Sequence, residues 1–424
     1  LYQFYGPRLR VTNRICDQNR ECLKQSRLIF YQHLFEDTLE LIKHLLENGV
    51  IIDCVIGKAY TSDPKIVKEI EALGVRVVKM NYSLADKGHI LQHILLGALK
   101  RARNKGQKVV INEVGGYFAS ILSEIPRDLK GYFGGVVETT TFGWNRYKRL
   151  EGSIPFPIYH VARSPLKEAE ASHVGKAISL AFDHLMRRLG ISISGRTALV
   201  VGYGMVGKQI AKSLSNHQLH VTVKDINPIQ RLQAYIDGYR ILETENLNEF
   251  DLIISATGRE GISLDMIRKC KSGVILASGG SRDTEIDVRG LKRYRTKEAI
   301  HDDISIYHVE GKKIFVLRNG TALNFGVKSV PSEIVDLVYS EIICCISKLA
   351  QDGSKSGLQE LDQIERAQIA EQWLMDMKGM NRIGNDESCT ISSTSGIKRC
   401  KNCKTTGNTQ GLINSSTSSF GQPN

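Results

Sequence analysis

The chain has 424 residues, enough for two or three domains of the usual ~100–200 residues, and its 42% hydrophobic and 24% charged content is that of a globular protein rather than a disordered one. No apolar run approaches the ~20 residues that span a bilayer, and the first residues lack the apolar centre of a signal peptide, so no membrane partner and a cytoplasmic location are expected. A formal charge of +12 with no aromatic interleaving and no nucleic-acid motif excludes sequence-directed nucleic-acid binding and favours anionic small ligands.

The first residue is Leu1 rather than Met, which fits a fragment or a processed form. The nine cysteines are scattered, several inside apolar segments, and read as buried hydrophobes in a reducing compartment. Cys389, Cys400 and Cys403 include one CxxC pair but lack a fourth ligand, so no metal site is expected.

In chain order, residues 20–48 carry a helical pattern whose apolar face is Leu34, Leu39, Leu41, Ile42, Leu45 and Leu46, closed by Asn48-Gly49. An apolar strand at 50–56 follows, interrupted only by Asp53. Helix 64–73, strand 75–79, helix 88–103 and strand 109–111 continue an alternation that predicts a parallel sheet with helices on both faces. A strand at 158–161 and a long amphipathic helix over 168–189 lead to the next unit.

That unit is the stretch from Gly195 to Asp225. A β-branched run leads into Gly202-Tyr203-Gly204-Met205-Val206-Gly207, then a helix, a second strand at 220–223, and Asp225. Gly202 suits the tight turn, Gly204 the approach of a pyrophosphate, and Gly207 close helix-strand packing. The helix N-terminus, with Met205 and Val206, offers N–H groups to the phosphates. Asp225 is placed to accept hydrogen bonds from a ribose diol, which favours NAD over NADP. Further strands are expected at 252–255, 274–277, 306–309 and 313–317, with a helix at 229–237. Helix 332–350 is too apolar to stand alone and packs back, on this reading, onto the first region. Beyond the helices the Ser-, Thr-, Gly- and Asn-rich composition predicts disorder.

Segments on both sides of the glycine loop, taken together, resemble adenosylhomocysteinase. They are Val137-Glu138-Thr139-Thr140-Thr141, Gly202 to Lys208, Asp225-Ile226-Asn227-Pro228 with Leu232-Gln233, Ala256-Thr257-Gly258, Glu285-Ile286-Asp287-Val288, and Leu323-Asn324-Phe325-Gly326 with Pro331-Ser332. They run in family order over roughly residues 30 to 335. The resemblance implies an α/β fold in which a Rossmann-type NAD domain (177–328) is inserted into a substrate-binding α/β domain (1–176), with C-terminal helices (329–375) returning to it before a disordered tail (376–424). It implies bound NAD, a nucleoside-type small-molecule substrate and a homo-oligomer. The family's chemistry is transient oxidation of a ribosyl 3'-hydroxyl, which acidifies the 4'-proton and lets the 5'-substituent leave or add.

By the same resemblance, His33 falls on the acid/base histidine, Lys167 on the lysine at the 3'-oxygen, Glu138 on the carboxylate that binds the ribose hydroxyls, and Glu113 on a surviving carboxylate of a double acid. Thr139, Thr140, Thr141, Gly202, Gly204, Met205, Val206, Gly207, Asp225, Thr257, Gly258 and Asn324 match cofactor contacts. Departures accompany these matches. Ala171 and Ser172 replace an aspartate and asparagine, Val114 replaces the second acid, and Phe35 replaces an adenine-contacting threonine. Ser281 and Val330 replace histidines, and the C-terminal lysine and tyrosines are absent. Such losses favour, as one alternative, a catalytically silent NAD-binding paralogue. Another is a 2-hydroxy-acid-type dehydrogenase using His301 or His308. From the residues alone, Glu138 before three threonines also reads as a helix-capping arrangement.

Overall fold

The computed structural model describes residues 8–80, 88–243, 246–280, 284–351 and 353–379. Apolar runs such as Leu28-Ile29-Phe30-Tyr31 and Val109-Val110-Ile111 present no polar face, and each is a strand buried on both sides. The first sheet contains β1 (Ser26–Leu34), β2 (Ile51–Ser62), β3 (Val77–Met80), β4 (Lys108–Glu113), β5 (Phe133–Glu138), β6 (Pro157–His160) and β15 (Gly357–Gln359), in the order β15-β6-β5-β4-β1-β2-β3. Its pairings are parallel, so helices must carry the crossovers.

Helices α1 (Arg10–Gln18), α2 (Arg20–Leu23), α3 (Glu36–Glu47), α4 (Pro64–Ala72), α5 (His89–Lys105) and α6 (Thr141–Arg149) accompany this sheet. Local chemistry sets their starts. Asp63 accepts the Lys65 N–H ahead of Pro64, and Thr140 accepts the Gly143 N–H. Asp53, which interrupts the apolar run 50–56 that opens β2, is clamped by Arg27 through two hydrogen bonds of 2.8 and 3.0 Å, and by Arg101 at 3.1 Å.

The expected helix across 20–48 is corrected. Residues 26–34 form the interior strand β1, between β4 and β2, and helix resumes only at Glu36. Four successive apolar residues carry no 3.6-residue period, so the helical face counted from Leu34 onward had been extended too far back. Strand β5 was not foreseen, because Gly134 and Gly135 have poor strand propensity. They are required by packing: a Cβ on Gly134 would lie 2.3 Å from the Leu349 carbonyl oxygen, and one on Gly135 2.4 Å from that of Pro157.

Helix α7 (Pro165–Arg188) leads out of the first sheet, begun by Ser164, whose hydroxyl accepts the Leu166 N–H. The second sheet follows. It comprises β7 (Thr197–Val201), β8 (His220–Lys224), β9 (Arg240–Ile241), β10 (Leu252–Ser255), β11 (Ile275–Ser278), β12 (Arg295–His301), β13 (Ile304–Val309) and β14 (Lys312–Leu317), in the order β12-β13-β14-β11-β10-β7-β8-β9. From β7 the chain goes one way to β8 and later the other way to β10, so the crevice at the carboxyl ends of β7 and β10 is the topological switch point where nucleotides bind in such sheets. Helices α8 (Met205–Asn216), α9 (Pro228–Ile236), α10 (Leu264–Arg268) and α11 (Val288–Leu291) belong to this half. Gly175 allows α7 to press on α8: its Cβ would meet the Gln209 backbone at 2.6 Å.

Helix α12 (Ser332–Ala350) joins the core of the first sheet through Leu337, Ile342, Ile343, Ile346 and Leu349, and β15 then pairs with β6. Helix α13 (Gln363–Gly379) runs past residue 376, where a disordered tail had been expected to begin. The rest of that tail, with Cys389, Cys400 and Cys403, lies outside the described residues. Among the described residues no helix is long and apolar enough to cross a membrane.

Candidate functional site

The glycine loop leaves β7 at the switch point. Gly202 turns with φ of 94°, in the left-handed region that glycine tolerates, and its N–H donates to the Lys224 carbonyl at 2.7 Å. A Cβ on Gly207 would lie 1.9 Å from the Gly202 carbonyl oxygen, so only glycine lets α8 start this close to β7. Gly204 differs: no atom lies within 4 Å of its Cβ position, and as the N-cap residue of α8 it provides no side-chain cap. The first-turn N–H groups at Met205 and Val206 thus face an open approach suited to a pyrophosphate.

Asp225, just beyond β8, anchors the loop, accepting the Tyr203 N–H at 2.6 Å on one oxygen and the Asn227 N–H at 2.8 Å on the other. Each oxygen keeps lone-pair capacity for a ribose hydroxyl. Across the switch point, Thr257 and Gly258 turn over the buried Glu285. That carboxylate accepts the Gly258 N–H at 2.7 Å and the Thr257 N–H at 3.0 Å, with the Ser255 and Thr257 hydroxyls also donating to it. Burial raises the Glu285 pKa. The N–H groups of Thr257 and Gly258 are therefore already engaged, and Glu285, which entered the sequence reading only as part of a matching block, shapes this wall.

His33 is the penultimate residue of β1, at the carboxyl edge of the first sheet, with Nδ1 2.6 Å from the Thr61 hydroxyl. Desolvation, with Lys58 and Lys167 close by, holds its pKa well below the ordinary imidazole value. Lys167 lies in the first turn of α7 and forms an ion pair with Glu170. The Phe325 ring centroid is 4.8 Å from that of His33, and Phe35 and Tyr60 also pack against Phe325. Asn324 precedes Phe325 in the same 3-10 turn, its amide donating to the Ser329 hydroxyl at 2.6 Å. His33, Lys167 and the Asn324-Phe325 turn are thus brought together.

Glu113 and Glu138 end β4 and β5 and are paired in register. Glu113 accepts the Tyr117 N–H at 2.6 Å and the Tyr147 hydroxyl. Burial, with Glu138 beside it, pushes its carboxyl up to about 8. Glu138 accepts the Gly116 N–H at 2.8 Å, the Gly115 N–H at 3.1 Å, and both the N–H and hydroxyl of Thr140 at 2.7 and 2.6 Å. It is fully buried, and burial raises its pKa also. Thr139 donates its hydroxyl to the Glu113 carbonyl, while Thr140 caps α6 and Thr141 begins that helix.

Lys58, Glu170 and Tyr147 were not anticipated. Lys58 is 1% exposed within an apolar strand, and a lysine in such a run is the signal that could have drawn attention to it. Ala171 and Val114, which stand where the resemblance would place acids, are buried apolar residues. Ser281 and the His301 side chain lie outside the described residues, and His308 sits on β13.

Residues 175–330 match the family described as the S-adenosyl-L-homocysteine hydrolase NAD-binding domain. The adenosylhomocysteinase of Sulfurisphaera tokodaii is 28% identical over 340 residues, covering 78% of this chain and 79% of that protein. The S-inosyl-L-homocysteine hydrolase of Methanopyrus kandleri is 30% identical over 331 residues, 76% of each. Among solved structures, the phosphoglycerate oxidoreductase of Vibrio cholerae covers 76% of this chain and 98% of its own, at 13% identity and a TM-score of 0.40. The glycine loop, the Asp225 anchor and the matched domain make NAD the cofactor of this chain.

Proposed function

The chain belongs to the adenosylhomocysteinase family, and on that premise we propose that it is an NAD-dependent enzyme that makes or breaks a bond at the 5' position of a nucleoside such as S-adenosylhomocysteine. Residues 1–176 with 329–375 form the substrate-binding part on this reading, and 177–328 the NAD-binding part; the return of β15 to the first sheet supports the division. Bound NAD supplies a hydride acceptor, and later a donor, at the sugar 3'-carbon.

The chain's own residues handle the protons. Lys167, held by Glu170, takes the 3'-hydroxyl proton. His33, kept neutral by its surroundings, exchanges protons at the 4' and 5' positions. Asn324 and Phe325 hold the reacting end against His33. The observation that carries the reading is this convergence: His33 from the first sheet meets Phe325, which adjoins Asn324, across a 4.8 Å ring contact. The two relatives act, by their names, on an adenosyl and an inosyl thioether, so the base is the variable part of the substrate.

A second reading, an NAD-binding protein without turnover, draws on Glu138. Its carboxylate is enclosed by Gly115, Gly116 and Thr140 donors, and it meets a ribose diol only if that nest opens. One experiment separates the two. NAD is identified by mass spectrometry after denaturation, and the intact protein is incubated with adenosine, inosine and S-adenosylhomocysteine while NADH absorbance is followed. The enzyme reading expects NADH with at least one of them. Bound NAD that no nucleoside reduces supports the silent paralogue.

A further inference from the structure

A cavity of about 960 Å³ beside the nucleotide crevice shares Thr257 and Gly258 with it but none of the proton-handling residues named above. One wall is a single face of α6, on which Phe142, Asn145, Arg146 and Arg149 recur at helical spacing. The other wall brings Arg259, from the turn after β10, together with Arg289 and Lys292 at and just after α11. Among the described lining residues the carboxylates beside these cations are Glu260 and Asp287, and Asp287 already accepts the Gly290 N–H at 2.8 Å as the cap of α11. Arg149, Arg259, Arg289 and Lys292 make no ion pair among the described residues. Arg146 is held in place, its guanidinium 4.9 Å from the Tyr117 ring centroid and 4.8 Å from that of Phe142.

Cations of one sign gathered around a concave wall repel one another, and an anion that bridges them relieves the repulsion. Guanidinium forks on two opposing walls match an anion with oxygens on several sides, the geometry of linked phosphates, better than a planar carboxylate. The volume lies near the upper end of the ~300–1,000 Å³ range of small-ligand pockets, leaving room beyond the phosphates. None of Gly202 to Gly207, Asp225, His33 or Lys167 lines the cavity, although Thr257 and Gly258 do. We propose that this cleft binds a di- or triphosphate-bearing ligand next to the dinucleotide and separately from it.

The test uses the NAD-loaded full chain and calorimetric titration with inorganic pyrophosphate, inorganic triphosphate and adenosine triphosphate, with sulfate as the control anion. Pyrophosphate and triphosphate should bind more tightly than sulfate, with an affinity that falls as salt rises. In R149Q/R289Q/K292Q that affinity should drop about tenfold or more, while the NAD released on denaturation stays at one per chain as in the parent protein. The three side chains are exposed, so melting should not change; R149K/R289K/K292K, which keeps the charge, should retain most of the binding. Tighter binding of adenosine triphosphate than of inorganic triphosphate assigns the rest of the cleft to a nucleoside, and equal binding assigns the ligand to the phosphates alone. The proposal is overturned by absence of binding, by binding that R149Q/R289Q/K292Q leaves intact, or by pyrophosphate expelling NAD, which would make the cleft part of the dinucleotide's own phosphate site.

Discussion

Substituting alanine at Gly207 and at Gly204 separates the two things a glycine loop does. At Gly207 the added methyl carbon would lie 1.9 Å from the Gly202 carbonyl oxygen, whereas C···O contacts settle at about 3.3–3.6 Å, so α8 and the turn must part by roughly 1.4–1.7 Å. Overpacking of this kind costs about 1–3 kcal/mol. At about 2–4 °C per kcal/mol for a domain of this size, the melting temperature should fall by roughly 2–12 °C. The same displacement withdraws the first-turn N–H groups from the pyrophosphate. Charge-assisted hydrogen bonds are worth about 1.5–3 kcal/mol, so losing one or two weakens NAD at least tenfold. At Gly204 the Cβ position has no atom within 4 Å and φ is −74°, which alanine adopts freely. Stability of the NAD-free protein should change by less than about 1 kcal/mol, the scale of an N-cap effect. NAD affinity should nevertheless fall, because the methyl occupies the approach to the helix N-terminus. Urea denaturation of the NAD-free proteins and calorimetric NAD titration measure the two quantities independently. Wild-type NAD affinity in Gly204→Ala would refute the placement of the pyrophosphate.

Three further outcomes are expected. Asp53→Asn leaves Arg27, whose side chain is 11% exposed, without its carboxylate, and should cost about 3–5 kcal/mol in urea denaturation; adding Arg27→Met should recover most of it. Glu113 has a folded-state pKa of about 8, above its ordinary value of 4.5, so its stabilising contribution is fully present below pH ~4.5 and lost as pH rises toward ~8. Folding stability should decline across that window in the parent protein and decline less in Glu113→Gln; an equal decline in both would assign the effect elsewhere. Glu170→Gln removes the partner of Lys167 and should slow NADH formation and displace its pH profile while leaving bound NAD unchanged, whereas an unmoved pH profile would reduce Glu170 to a structural role.

What could be read from the chain, and what could not, follows from how far each residue's task reaches. Gly202, Gly204 and Gly207 answer demands set within one turn, and their spacing alone announces them; the turn and the helix N-terminus occur where that spacing places them, while the part Asp225 plays in anchoring the loop was not foreseen. The helix over 332–350 was equally plain, because its apolar content left burial as the only outcome. By contrast, Glu170 stands beside the lost aspartate position Ala171, and only helical geometry, three residues on from Lys167, turns it into that lysine's partner. Lys58 lies beyond the strand expected at 50–56, and only the pairing of β2 with β1 sets it beside His33.

Glu138 shows the limit most sharply. The family resemblance implies a diol-binding carboxylate and the local sequence a capping arrangement, and the cap of α6 is in fact Thr140. What Glu138 does depends on the register of β4 against β5, which places it beside Glu113 and under the Gly115-Gly116 backbone. A carboxylate enclosed by that many donors holds a loop in place at rest. It can hold a sugar only by exchanging those donors for hydroxyls, so a nucleoside that reduces the bound NAD should also loosen the nest. Hydrogen exchange at the Gly115 and Gly116 amides, measured with and without that nucleoside, tests the step directly: faster exchange in the complex places Glu138 on the substrate, and unchanged protection keeps it in the framework.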